Sequence, residues 1–156
     1  MQYNNPTPVA VAIARIRRLN GSLGLLGIVR KLTPVGGCAL AGGFIDEMES
    51  ATMAVVREFR EEARFVTRLQ QWKLYADAVS PSNRLLVFCE FQGEIHERQL
   101  EQFRETKEVS RLLCLTEETL DLCFPLHQEV AQSYLAQAKT LQLPERLLEV
   151  DDSEQL

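Results

Sequence analysis

Residues 9–18 alternate in two sets. Val9, Val11, Ile13, Arg15 and Arg17 fall on one face, and Ala10, Ala12, Ala14, Ile16 and Arg18 on the other. This period of two predicts a strand. Asn20-Gly21-Ser22 predicts a turn, and residues 23–30 a second strand, completing a hairpin-like pair. Residues 33–37 read as a loop, and residues 38–40 as a short apolar strand running into Gly42-Gly43. From Ser50, a good N-cap, to about Ala63 the residues are helix formers. Residues 66–79 read as extended, 80–83 as a turn, and 85–91 as a clear strand. A short helix is expected over 95–104, a strand over 109–115 and a long helix over 126–140. The apolar stripe of that last helix is Leu126, Val130, Tyr134, Leu135, Ala138 and Leu141.

This mixture of hairpins, crossovers and helices predicts an α+β fold, a mixed sheet packed by helices. A chain of 156 residues fits one domain, here assigned to residues 1–143, with an acidic tail over 144–156. Composition is that of a globular protein, with 46% hydrophobic and 25% charged residues, which excludes collagen-like, disordered and coiled-coil classes. No apolar run is long enough to span a membrane, and the amino terminus lacks the features of a signal peptide. Cys38, Cys89, Cys114 and Cys123 are widely spaced and the chain has only 2 His, which argues against zinc. The cysteines read as small core residues, and the expected location is the cytoplasm.

The net charge of -5 hides a division. Residues 1–45 contain no acid and carry Arg15, Arg17, Arg18, Arg30 and Lys31, whereas residues 46–143 sum to -6 and the tail to -4. Within the acidic part, Glu58, Glu61 and Glu62 stand at i, i+3 and i+4 on the first helix, which puts three carboxylates on one face. Crowded like charges raise one another's pKa, and a divalent cation turns that repulsion into binding. Oxygen-only ligands favour Mg²⁺ or Mn²⁺, and Mg²⁺ is readily shared with substrate phosphates. The same run on an exposed helix would be a solvated stripe. Arg57 is placed to hold a carboxylate from the preceding loop, Glu49 best of all, and the glycines let the loop backbone approach a metal.

The wider pattern decides between these readings. Gly43, Glu49, Arg57, Glu58, Phe59, Glu61, Glu62 and Phe65 match eight of the nine defined positions of the Nudix box, which this stretch resembles. The preceding Leu40-Ala41-Gly42-Gly43 is similar to the lead-in that family members often show. Arg64 stands where the box has Gly; that position is expected to be left-handed, which Arg adopts at a cost of about 1 kcal/mol.

The resemblance implies a Nudix hydrolase, an α/β/α sandwich with a mixed sheet and a loop–helix–loop at the site. It implies metal-dependent attack of water on the diphosphate bridge of a nucleoside diphosphate linked to another group. By position, Glu58 and Glu62 would be the main metal ligands, with the Gly42 carbonyl a further one. Glu61 would serve a second metal or orient water, and Arg57 and Glu49 would pair to position the helix. Glu108, or failing that Glu105, could be the general base or an extra ligand. A homodimer is compatible with the resemblance.

Substrate choice lies outside the box. Pro81, 16 residues beyond Phe65, resembles the spacing of the ADP-ribose pyrophosphatase branch, while the Ser-Gln-Pro array of the NADH-cleaving branch is absent. Arg15, Arg17 or Arg18 could meet substrate phosphates, or could guard a strand end. Phe44, Trp72, Tyr75 and Phe124 are candidates for base stacking, and His127 is read as capping a helix start. The expectation is a Mg²⁺-dependent (or Mn²⁺-dependent) pyrophosphohydrolase acting on a small ADP-ribose-like nucleotide. The alternatives are a nucleoside triphosphate pyrophosphatase and a nucleotide-sensing module without catalysis. No nucleic-acid polymer is expected as a partner, since no DNA-reading extension is present.

Overall fold

The computed structural model describes residues 3–141. Its strands are β1 (Thr7–Arg17), β2 (Leu23–Arg30), β3 (Cys38–Ala39), β4 (Gly42–Phe44), β5 (Trp72–Val79), β6 (Arg84–His96) and β7 (Val109–Leu115). Its helices are α1 (Ala51–Ala63) and α2 (Pro125–Leu141), with 3₁₀ turns at Leu69–Gln71 and Glu97–Gln102. The acidic segment 144–156 lies outside the described residues, and no described helix is long and apolar enough to cross a membrane.

One mixed sheet runs in the order β3-β2-β1-β6-β5, with β4 also paired to β1 and β7 to β2. β1 runs parallel to β6 and antiparallel to β2 and β4. Its outer edge changes partner along its length: Val9, Ala10 and Val11 pair with β4, while Arg15, Ile16 and Arg17 pair with β2. The alternation seen in the sequence separates two cores. Ala10, Ala12, Ala14 and Ile16 join Ala54, Val55, Phe59 and Ala63 of α1, whereas Val11 and Ile13 join Ala131, Tyr134 and Leu135 of α2. A helix thus covers each face of the sheet, giving three layers. Phe59, fully buried, packs its ring 5.1 Å from Trp72 and 5.6 Å from Phe65, which fixes α1 against the sheet.

The expected elements are found with four differences. Gly42–Phe44 is a strand, although two glycines give it no side-chain period to read. The extended 66–79 run is broken by the Leu69–Gln71 turn, so that its strand starts at Trp72. The last sheet strand before the second helix is preceded not by a helix over 95–104 but by β6 continuing to His96 and then a 3₁₀ turn. Finally, His127 caps nothing: it lies buried inside α2, where Nδ1 accepts the Leu40 N–H at 3.2 Å. Burial holds its pKa down to about 4, so the ring is neutral and fit to accept. All four cysteines are free thiols; Cys89 is buried and the other three are partly buried.

Candidate active site

The site is built on a local conflict in α1. Ser50 caps the helix, its side chain accepting the Met53 N–H at 3.1 Å. The buried face of the helix carries Ala54, Val55, Phe59 and Ala63, and the same face carries Glu58 and Glu62. Two carboxylates therefore occupy positions the helical period reserves for apolar side chains, and they are only 9% and 5% exposed. Glu61, three residues on from Glu58, points outward and its side chain is 59% exposed. Of the three acids on one stripe, the fold buries two.

β4 is the floor beneath them. The register of β4 on β1 makes Ala10–Gly43 and Ala12–Ala41 the hydrogen-bonded pairs and Val11–Gly42 a non-hydrogen-bonded pair. The N–H and C=O of Gly42 thus both face away from β1, and the N–H is given to Glu62 Oε1 at 3.3 Å. Space requires glycine at 42, against backbone, and glycine at 43 leaves room for the Glu58 carboxylate. A Cβ on Gly42 would overlap the Ala10 carbonyl oxygen, and one on Gly43 would overlap the Glu58 carboxylate.

Arg57 ties the loop to the helix. Its Nε and Nη2 donate to the two oxygens of Glu49 at 3.0 and 2.8 Å, and Nη2 also donates to the Phe44 carbonyl at 3.0 Å. Nη1 reaches Glu58 Oε1 at 2.6 Å and lies 3.5 Å from Glu61. The hydrogen bonds from Arg57 hold the Glu49 carboxyl down at about 2. Glu62 shows the reverse: burial, the neighbouring Glu58 charge and a hydrogen bond to Glu58 push its pKa well above the ordinary carboxylate range. Glu108, just before β7, adds its own charge to that push, so two acids, Glu58 and Glu108, bear on Glu62. The backbone at Glu108 is itself tied to the end of β2, where the Lys31 N–H donates to the Glu108 carbonyl at 2.8 Å.

Among the described residues no three acidic, histidine or cysteine side chains converge closely enough to enclose a metal ion. The available donors are the Glu58 and Glu62 carboxylates and the outward Gly42 carbonyl. An all-oxygen, incomplete set of this kind fits Mg²⁺, which keeps waters and shares its remaining positions with phosphate. The proton crowding between Glu58 and Glu62 is what such a cation would relieve.

Other residues singled out from the sequence are dispersed. Arg17 is bound to Glu94 at 2.8 Å and to the Gly21 carbonyl at 2.7 Å. Arg15 reaches the Gln92 carbonyl at 3.5 Å and lies near Tyr134 on the α2 side. Neither contacts Glu58 or Glu62. Glu105 is paired with Lys31 at 2.7 Å, and Pro81 sits in the exposed β5–β6 turn. Trp72 is core, with Nε1 donating to Thr67. Phe44 is 51% exposed and is overlaid by the Arg84 guanidinium at 4.8 Å, a partner 40 positions away that no local pattern pairs with it. Arg64 has φ 67°, the left-handed geometry expected where the box has Gly, and its N–H closes the helix on the Arg60 carbonyl.

A family model described as the NUDIX domain matches residues 6–138. No curated protein matches the chain. Among solved structures, a MutT/nudix family protein from Enterococcus faecalis is similar with a TM-score of 0.71 at 17% identity. That match covers 90% of this chain but only 64% of the other. The NUDIX domain of Shewanella oneidensis NrtR, complexed with ADP ribose, is similar at 0.66 and 17% identity, over 88% of this chain and 90% of that one. A C. elegans Ap4A hydrolase in a binary complex gives 0.63 at 14% identity, over 85% and 96%.

Proposed function

The chain belongs to the Nudix family, and we propose that it is a metal-dependent pyrophosphohydrolase that cleaves the diphosphate bridge of a nucleoside diphosphate linked to another moiety. An ADP-ribose-like substrate is favoured, in keeping with the ADP ribose bound to the similar Shewanella domain. The observation that carries the reading is the buried Glu58–Glu62 pair set over Gly42-Gly43, with the Glu108 charge directed at it.

In this reading Glu58, Glu62 and the Gly42 carbonyl hold Mg²⁺ or Mn²⁺. When bound, the cation supplies Lewis-acid polarisation of the diphosphate and lowers the pKa of water. Glu62 must give up its proton for the cation to bind, so occupancy rises with pH. Arg57 fixes Glu58 by one oxygen, Oε1, and thereby orients the other. Glu49 keeps Arg57 in place through both its oxygens, a positioning role. Glu108 is the candidate general base, close enough for its charge to act on Glu62. Exposed Glu61 would orient water or take a second ion. Phe44 offers a ring for the nucleobase.

The test is product release from a panel of nucleoside diphosphate derivatives, diadenosine polyphosphates and nucleoside triphosphates with Mg²⁺ and Mn²⁺. AMP and a phosphorylated sugar from ADP-ribose, lost in Glu58→Gln, are expected. NMP and pyrophosphate from triphosphates alone would move the assignment to the pool-cleaning alternative. Unaltered nucleotides throughout would favour a sensor.

A further inference from the structure

A second charged group on the α1 side of the sheet lacks a counterpart. Arg30 ends β2, where its N–H and C=O close the 30–37 loop on Gly37 and Gly36 at 2.9 and 2.8 Å. Its guanidinium lies over the Phe124 ring, 5.0 Å from the centroid, and Nη2 donates to the Thr33 carbonyl at 2.8 Å. Nε is buried and has no hydrogen-bond partner. Among the described residues Arg30 makes no ion pair. Arg30 is half-buried, and a buried guanidinium N–H with no acceptor is costly, a cost that a ligand oxygen would remove.

Its surroundings show which ligand. Phe124 packs against the core cluster that holds Ala39, Ala41 and the buried face of α1, so the Arg30–Phe124 pair shares a sheet face with Glu58 and Glu62. Lys31, the next residue, is hydrogen-bonded through its N–H to Glu108, whose charge reaches Glu62. Phe124 is itself braced by the His127 ring at 5.0 Å, and His127 by the Leu40 N–H. The cation is therefore held on an aromatic backing on the sheet face that carries the acid pair. The other buried unpartnered atom is Arg15 Nε, but that side chain lies towards Tyr134 and Glu90 beneath α2, on the opposite face.

We propose that Arg30, backed by Phe124, is an anion-binding subsite that takes a phosphate oxygen of the substrate left uncovered by the cation at Glu58 and Glu62. The inference rests on the pyrophosphohydrolase reading for the identity of the anion. A planar donor with unspent N–H groups matches the paired oxygens of a phosphate, where a lysine would offer a point charge only.

The experiment is calorimetric binding of inorganic pyrophosphate in Mg²⁺ to the wild-type chain, Arg30→Met and Arg30→Lys, with a thermal melt of each. Arg30→Met should weaken binding about tenfold or more while leaving the melting temperature unchanged or higher, because it removes an uncompensated charge. A purely structural arginine would show the reverse, a lower melting temperature with binding intact. Arg30→Lys should fall between and serves if the Met variant does not fold. Binding within twofold of wild type in the folded variants, or no binding of pyrophosphate by the wild type, overturns the proposal. Hydrolysis separates the two readings. A chain that cleaves ADP-ribose with an unchanged KM in Arg30→Met keeps its proposed function and loses this subsite. One that binds pyrophosphate through Arg30 but cleaves nothing does the opposite.

Discussion

Glu49 and Glu62 are both held by the α1 motif, yet their environments are opposites. Glu49 meets Arg57 through both oxygens and its pKa falls to about 2. Glu62 meets another carboxylate in a buried setting and its pKa rises. The first is an ion pair completed by the protein, the second a cluster the protein leaves incomplete. In the proposed reading, completion marks structure, and incompleteness marks where a cation and substrate would bind. Stability and activity should therefore divide along this line.

Removing the incomplete pair is the largest change expected. Glu58→Gln and Glu62→Gln should cut turnover beyond the roughly 100-fold that outer-shell partners of a metal cost. The metal-free melting temperature of Glu62→Gln should not fall, since no ion pair is lost through Glu62, whereas Glu58→Gln gives up its pair with Arg57. A large fall in melting temperature for Glu62→Gln, with turnover retained, would erase the distinction. Removing the completed pair should do the reverse in kind. Arg57→Ala should cost about 1–2 kcal/mol in urea unfolding, the partial exposure of the pair limiting the loss, and should reduce turnover by releasing Glu58.

The same contrast sets opposite pH slopes. Glu49, with a lowered pKa, contributes stability that is present above its ordinary value of about 4.3 and is lost as pH falls towards 2. Glu62, with a raised pKa, contributes stability below its ordinary value that is lost as pH rises through the raised one. Mg²⁺ should cancel the alkaline slope and leave the acid one, so the Mg²⁺-induced rise in melting temperature should be larger at pH 8 than at pH 6. An equal rise at both would place the cation elsewhere. The smallest effect is at the helix exit: Arg64→Gly should stabilise by about 1 kcal/mol, relieving the left-handed strain, with turnover unchanged.

The motif made much of this legible. Gly43, Glu49, Arg57, Glu58 and Glu62 are close in sequence and act through one helix and one loop, so spacing alone relates them. The left-handed Arg64 was legible for the same reason. Glu61 was not separable from its neighbours, because i+3 and i+4 positions share a stripe and only packing shows which side faces the sheet. β4 was hidden by having almost no side chains. Arg15 and Arg17 drew attention by charge, but charge does not reveal a partner 77 positions away, as Glu94 is from Arg17. Arg30 carries no such signal either, because the burial of its Nε without an acceptor is a property of the folded surroundings.

The central claim is that Glu62, buried beside Glu58, holds a proton in place of a cation. Calorimetric titration of Mn²⁺ at pH 7, repeated in two buffers of different ionisation enthalpy, counts the protons released per ion bound. The account predicts release of about one proton by the wild type and none by Glu62→Gln. Binding of Mn²⁺ without proton release, or release unchanged in Glu62→Gln, would contradict it.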